Sequence, residues 1–243
     1  MSRSEWTRET INERYVIYQG KTGYRYNLDS LLLAGFARLK PGLRVLDVGT
    51  GMGILPVLLC SKEPRLVITA VEILEDQAEL AQTNMDVNAL DQVTILRNDI
   101  RRLANSHHNR YDLVISNPPY YVTGCGQHSP DSIRSQSRHE GSLCLEELMT
   151  KAWKLVAPRG RFVCIYPADR VADVLRETAF TGFRPLRIRF VHPKANQPSR
   201  VFLLEAGKDA GRHLQVEKPL VMHDENGGYT EEIERVMAGG SLD

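Results

Sequence analysis

Six residues near the middle of the chain, Ser116-Asn117-Pro118-Pro119-Tyr120-Tyr121, follow directly on the run Tyr111-Asp112-Leu113-Val114-Ile115. Exocyclic amines on bases and amides are poor nucleophiles because their lone pair is conjugated into a π system. An Asn117 side-chain oxygen and the Pro118 carbonyl can each accept one N–H of such an amine, favouring emergence of the lone pair toward an electrophile as the transition state forms. Proline fixes the main-chain angles that aim those acceptors. Tyr120 offers a flat surface for a base taken out of its stack, a contact worth about 1–3 kcal/mol, and Tyr121 is a second candidate substrate contact. Asn-Pro and Pro-Pro are also ordinary turn dipeptides. Placement after a buried strand and before tyrosine is what makes the group specific.

A second group lies upstream. Val45-Leu46-Asp47-Val48-Gly49-Thr50-Gly51-Met52-Gly53 ends an apolar run and opens into Ile54-Leu55. The glycines Gly49, Gly51 and Gly53 permit unusual backbone angles and let a ligand lie against bare main chain, although a tight strand-to-helix turn favours glycine for its own sake. The spacing is GxGxG with an acid in front, not the GxGxxG of the dinucleotide fingerprint. Glu72 closes the next strand candidate (VITAVEI) and Asp99 the one after (TILRNDI). An ionised carboxylate accepts only, so Glu72 suits the two hydroxyls of a ribose and Asp99 an exocyclic amine such as adenine's. Acids at strand ends also cap the helices that follow. No basic cluster surrounds the glycines, which argues against a polyphosphate and favours an adenosine without phosphates.

The elements that must position these groups show in the periodicity. Strands are expected at Arg44–Asp47, Val67–Val71, Val93–Arg97, Tyr111–Ser116, Arg161–Tyr166, Pro185–Val191 and Arg200–Leu204, and helices at Leu28–Leu39, Ile54–Ser61, Glu75–Asn88, Leu143–Ala157 and Asp169–Phe180. Alternating, near-continuously apolar strands and helices predict an α/β fold: a mostly parallel seven-stranded sheet with helices on both faces. The last two strands lack an intervening helix and are expected to pair antiparallel at one edge. In such sheets a ligand sits beyond the carboxyl ends of the strands, where strand order reverses. Residues 122–142, rich in Gly, Ser, His and Arg, form the one long irregular stretch.

With 243 residues, 42% hydrophobic and 25% charged, the chain can bury one sizeable core. A single domain over 1–243 is expected, with an extension and first helix over 1–43, a core over 44–206 and a tail over 207–243. Cys60, Cys125, Cys144 and Cys164 have no CxxC spacing, so neither a metal nor a disulfide framework is expected. No apolar signal core or membrane-length run is present, which points to a cytoplasmic protein. The formal charge of +1 says nothing about the substrate.

Taken together, DVGTGMG, Glu72, Asp99 and NPPY resemble the class I S-adenosylmethionine-dependent methyltransferases that modify amino groups. The flanking VIYQGKTGYRYNLDSLLLAGFA, RSQSRHE and PLVMHDENGGYTEEI narrow the resemblance to the bacterial tRNA1(Val) adenine-N6-methyltransferase family, which acts on the adenosine beside the anticodon, at tRNA position 37. The resemblance implies S-adenosylmethionine as cofactor, tRNA as partner, no metal, and a Rossmann-like fold. It implies methionine-moiety contacts at Asp47, Gly49, Gly51 and Gly53, ribose contacts at Glu72, and adenine contacts at Asp99 with neighbouring Ile100. Target-amine contacts fall at Asn117, Pro118 and Tyr120, with Asn117 also bordering the cofactor. Arg134, Arg138, Lys194 and Arg200 are candidate phosphate contacts, the last two provided that Pro185–Val191 runs parallel to the central strands. NPPY alone does not name the substrate. Protein-glutamine N5 methylation of a release factor is the enzymatic alternative, for which a larger N-terminal substrate domain is expected. An idle RNA-binding methyltransferase-like module is the other, and the intact motif set argues against it.

Overall fold

The computed structural model describes residues 6–11, 14–20, 28–118, 143–211 and 213–242. Six strands run parallel: β3 (Arg44–Val48), β4 (Val67–Glu72), β5 (Val93–Arg97), β6 (Tyr111–Ser116), β7 (Val156–Pro167) and β8 (Arg184–His192). Only β9 (Val201–Gly207) opposes them, pairing antiparallel with both β7 and β8, so β8 points the same way as β3. The order β5-β4-β3-β6-β7-β9-β8 reverses direction between β3 and β6. That is where an open α/β sheet leaves a crevice at its carboxyl rim.

Two apolar layers cover the sheet. One face receives α1 (Leu28–Phe36), α2 (Ile54–Lys62), part of α3 (Glu75–Val87) and α6 (Glu231–Met237), through side chains such as Leu32, Leu59, Leu80 and Ile233. The other receives α4 (Leu145–Leu155) and α5 (Val171–Phe180), through Leu148, Met149, Ala152 and Val174. Strand residues alternate between the layers, Val45 facing the first and Leu46 the second. Period-two side chains on a doubly covered strand require both faces to be apolar, which is why these strands read as unbroken hydrophobic runs.

The expected seven strands are present, and the structure adds to them. Ahead of α1, β1 (Trp6–Ile11) and β2 (Tyr15–Gly20) form a separate antiparallel hairpin that the sequence pattern did not announce. Behind β9, two strands of two residues each, β10 (Gln215–Val216) and β11 (Leu220–Val221), pair parallel with β8. The antiparallel pair is therefore not the outermost part of the sheet. α1 stops at Phe36 rather than Leu39, and α4 ends at Leu155 because Val156 already pairs with Tyr111. Cys60 and Cys164 are free and buried as expected, but Cys144 is disulfide-bonded, against the expectation from spacing.

Among the described residues no helix is long and apolar enough to cross a membrane, and no group of three or more His, Cys, Asp or Glu side chains could hold a metal.

Candidate active site

The glycine turn joins β3 to α2 at the point of strand reversal, and three neighbours hold it. From β4, the Val71 carbonyl accepts from Gly49 N (2.9 Å) and Thr50 N (3.1 Å), and Glu72 Oε2 accepts from Gly51 N (2.8 Å). From β6, Ser116 Oγ donates to the Val48 carbonyl (2.9 Å). From α3, Asn84 Nδ2 donates to the Met52 carbonyl (2.8 Å). Gly49, Gly51 and Gly53 all have positive φ, at 72°, 56° and 84°. A side chain at Gly53 would meet Met85 Cε at 2.9 Å, so that glycine serves packing. At Gly49 and Gly51 an added Cβ meets nothing within 4 Å, so the outer face of the turn is bare main chain with open space over it.

Beneath that face lies Asp47, 0% exposed, in register with Ala70 on one side and Ile115 on the other. Among the described residues neither carboxylate oxygen has a hydrogen-bond partner, nor has Thr50 Oγ1. Burial pushes the Asp47 carboxyl up to about 7; the nearby Thr50 hydroxyl eases this without bonding geometry, and the charge of Glu72 adds to it. A buried polar group without partners costs folding free energy. A carboxylate kept in that condition beside an open glycine turn fits a ligand that brings a cation or donors, as the methionine end of S-adenosylmethionine does.

The other two rim acids are already engaged. Besides Gly51 N, Glu72 accepts from Ile73 N and Leu74 N (both 2.9 Å) through Oε1. Asp99 caps the short 3-10 turn Ile100–Arg102 and is forked by Arg101, with Nη2 to Oδ2 at 2.7 Å. Burial works to raise the Asp99 pKa, but the Arg101 guanidinium and amide outweigh it and hold the group below its usual range. Each oxygen of a carboxylate has more than one lone-pair direction, so these bonds leave room for a ribose or an amine. The side chain of Ile100, read as a cofactor contact, is buried in the core under α4. Ile73 and Leu74, which sequence reasoning passed over, present apolar surface beside Glu72 at 37% and 56% exposure.

Asn117 and Pro118 follow β6, one strand from the turn. Asn117 is half-buried and its Nδ2 donates to Ser30 Oγ (3.2 Å) on α1, a serine 1% exposed; Pro118 is buried. Lys194 and Arg200 lie exposed in the turn between β8 and β9, on the same rim because β8 is parallel to β6. Arg200 is fixed by its main chain: its N–H donates to the Val191 carbonyl (2.9 Å) and its carbonyl accepts from Ala168 N (2.9 Å), beyond the end of β7. The turn joins β8, three strand spacings from β6, to β9, two spacings from it, so it stands about 10–14 Å away. Tyr120, Tyr121, Arg134 and Arg138 lie outside the described residues. Ser116 and Ser30 were missed because a serine after a strand, or inside a helix, carries no distinguishing pattern.

Residues 28–168 match the family model for the methyltransferase small domain. A tRNA1(Val) (adenine(37)-N6)-methyltransferase from Tolumonas auensis is 30% identical over 224 residues, covering 91% of each chain. The chain belongs to this methyltransferase family. A protein of the same description from Parabacteroides distasonis is 26% identical, over 84% of this chain and 88% of its own. In fold, the methyltransferase superposes on the crystal structure of a predicted O-methyltransferase from Agrobacterium tumefaciens with a TM-score of 0.73 at 20% identity, over 88% of this chain and 98% of that one. An S-adenosylmethionine-dependent methyltransferase from Aquifex aeolicus gives 0.52 at 17% identity, over 75% and 99%. The fold is thus the class I methyltransferase fold that the motifs implied.

Proposed function

We propose that this methyltransferase transfers a methyl group from S-adenosylmethionine to the exocyclic N6 amine of an adenosine in tRNA, with position 37 of tRNA1(Val), the substrate named for its relatives, as the target. The observation that carries this reading is the meeting, on neighbouring strands, of the open glycine turn above unpartnered Asp47 with Asn117 and Pro118. When bound, S-adenosylmethionine supplies a methyl group already activated by its sulfonium. The residues around it bind and align. Asp47 and the bare main chain of Gly49 and Gly51 take the methionine end, Glu72 the ribose, and Asp99 the adenine amine. Asn117, steadied by Ser30, and the Pro118 carbonyl accept the N–H groups of the target amine, so that its lone pair is freed as charge develops. No strong base is assigned, because the proton can leave once the nitrogen is cationic. Lys194 and Arg200 contribute phosphate contacts.

Mass mapping of methylated nucleosides in tRNA, from cells with and without the protein, tests the assignment. Loss of N6-methyladenosine from one tRNA is the expected result. A change confined to a glutamine of a release factor overturns it.

A further inference from the structure

The Asn84 side chain hydrogen-bonds both to the glycine turn and to the N-terminal hairpin. It is 0% exposed. Its Oδ1 accepts from Tyr18 N (2.8 Å), and its Nδ2 donates to the Tyr18 carbonyl (2.9 Å) and to the Met52 carbonyl (2.8 Å). One helical turn on, Asn88 repeats the first half of this pattern on Val16, accepting from its N–H at 2.8 Å and donating to its carbonyl at 2.7 Å. Residues i and i+4 share a helix face, and alternate residues of a strand share a hydrogen-bonding edge. The two carboxamides, one in α3 and one at its C-cap, therefore stand where another strand would, and close the edge of β2 turned away from β1.

Only Asn84 goes further, to Met52. That residue is 2% exposed and sits between two positive-φ glycines. α2 offers its carbonyl no donor: Met52 precedes the N-cap Gly53, and the residue four along is Pro56, which has no N–H. A buried carbonyl needs a partner, and here a side chain that also grips the hairpin provides it. We propose that Asn84 is a positioning residue for the cofactor turn, holding the main chain at Met52 in register with the seated hairpin so that the Gly49–Gly53 face is set before the cofactor arrives. This rests on the reading of that turn as the cofactor site.

Calorimetric binding of S-adenosylmethionine, together with steady-state kinetics on tRNA, separates the possibilities. Asn84→Ala removes both contacts and is expected to weaken cofactor binding about tenfold, while kcat at saturating cofactor and KM for tRNA stay within about twofold of wild type. Asn88→Ala loosens the hairpin alone and is expected to leave cofactor affinity unchanged. Should Asn84→Ala fail to fold, Asn84→Leu, similar in size and free of a buried charge, carries the same test because it cannot donate to Met52. Equal losses in the Asn84 and Asn88 variants, or wild-type affinity in a folded Asn84 variant, overturn the proposal. Glu72→Ala run alongside locates any failure: if it weakens binding while the Asn84 variants do not, only the positioning role falls. If Glu72→Ala binds as wild type, the cofactor lies elsewhere and both readings fall.

Discussion

Asn117 and Asp47 make opposite uses of burial. In the proposed reaction the Asn117 amide acts on charge that develops at the target nitrogen, so Asn117→Ala is expected to lower kcat by roughly 10²–10³ with little change in cofactor affinity, as loss of one polarising contact does elsewhere. Single-turnover rates beside calorimetry check this. Asp47 keeps its proton to about pH 7 in the folded chain, whereas an unfolded aspartate ionises near 3.9. Between those values the folded state binds more protons, so the contribution of Asp47 to stability is complete below about pH 4 and is lost as pH rises through about 7. Denaturant midpoints from pH 4 to 8 are therefore expected to fall less steeply in Asp47→Asn than in wild type, the difference reaching a few kcal/mol at most. Strand-end spacing brought all three acids to one rim and could not tell them apart. Position along a strand fixes which rim an acid reaches but not what it meets there: Gly51 N of the turn as well as the local amides of Ile73 and Leu74 for Glu72, the adjacent Arg101 for Asp99 and, among the described residues, no hydrogen-bond partner for Asp47.

Elements were legible where pattern and partner are both local or repeated. Apolar strands of five residues or more alternating with helices pointed to a parallel sheet, and the β8–β9 connection was too short for a crossover; the direction of β8, left as a condition by the sequence, is parallel in the structure and brings its turn to the carboxyl rim. On that rim Lys194 and Arg200 supply phosphate contacts in the proposed complex, so the double variant Lys194→Ala/Arg200→Ala is expected to flatten the log–log salt slope of tRNA binding by up to about 2. Filter binding at several salt concentrations measures it, and an unchanged slope moves the RNA to another surface. The hairpin β1–β2 escaped because what seats β2 is not a strand of the sheet but two asparagines, in α3 and at its C-cap, at a sequence separation no periodicity reveals. Strands of two residues, as β10 and β11 are, have no period at all.

Across the whole molecule a buried charge network ties the sheet to both ends of the chain. Arg187 (4% exposed) bonds Glu205 (0%) at 2.7 Å, Glu217 of the tail at 3.0 Å and the Phe36 carbonyl of α1 at 2.6 Å, with its guanidinium 3.9 Å over the Phe36 ring; Arg161 takes the other oxygen of Glu205. Removing Glu205 leaves the buried Arg187 guanidinium with Glu217 as its one remaining carboxylate, so Glu205→Ala is expected to cost up to about 3–5 kcal/mol, whereas Arg187→Met with Glu205→Leu costs less. Urea titration of the three proteins compares them.

The same tail closes over α1 a second time. Val236 packs within 3.1 Å of where a Cβ on Gly35 would stand, and Leu242 N donates to the Gly35 carbonyl at 2.9 Å. α1 carries the serine that steadies Asn117. Chains emerge from the ribosome amino end first, so the strands bearing the glycine turn and Asn117 are made long before the segment that clamps the helix between them. A chain cut ahead of residue 231 keeps every residue assigned to the chemistry but loses these contacts on α1, so the setting of Ser30 against Asn117 draws on residues that touch neither.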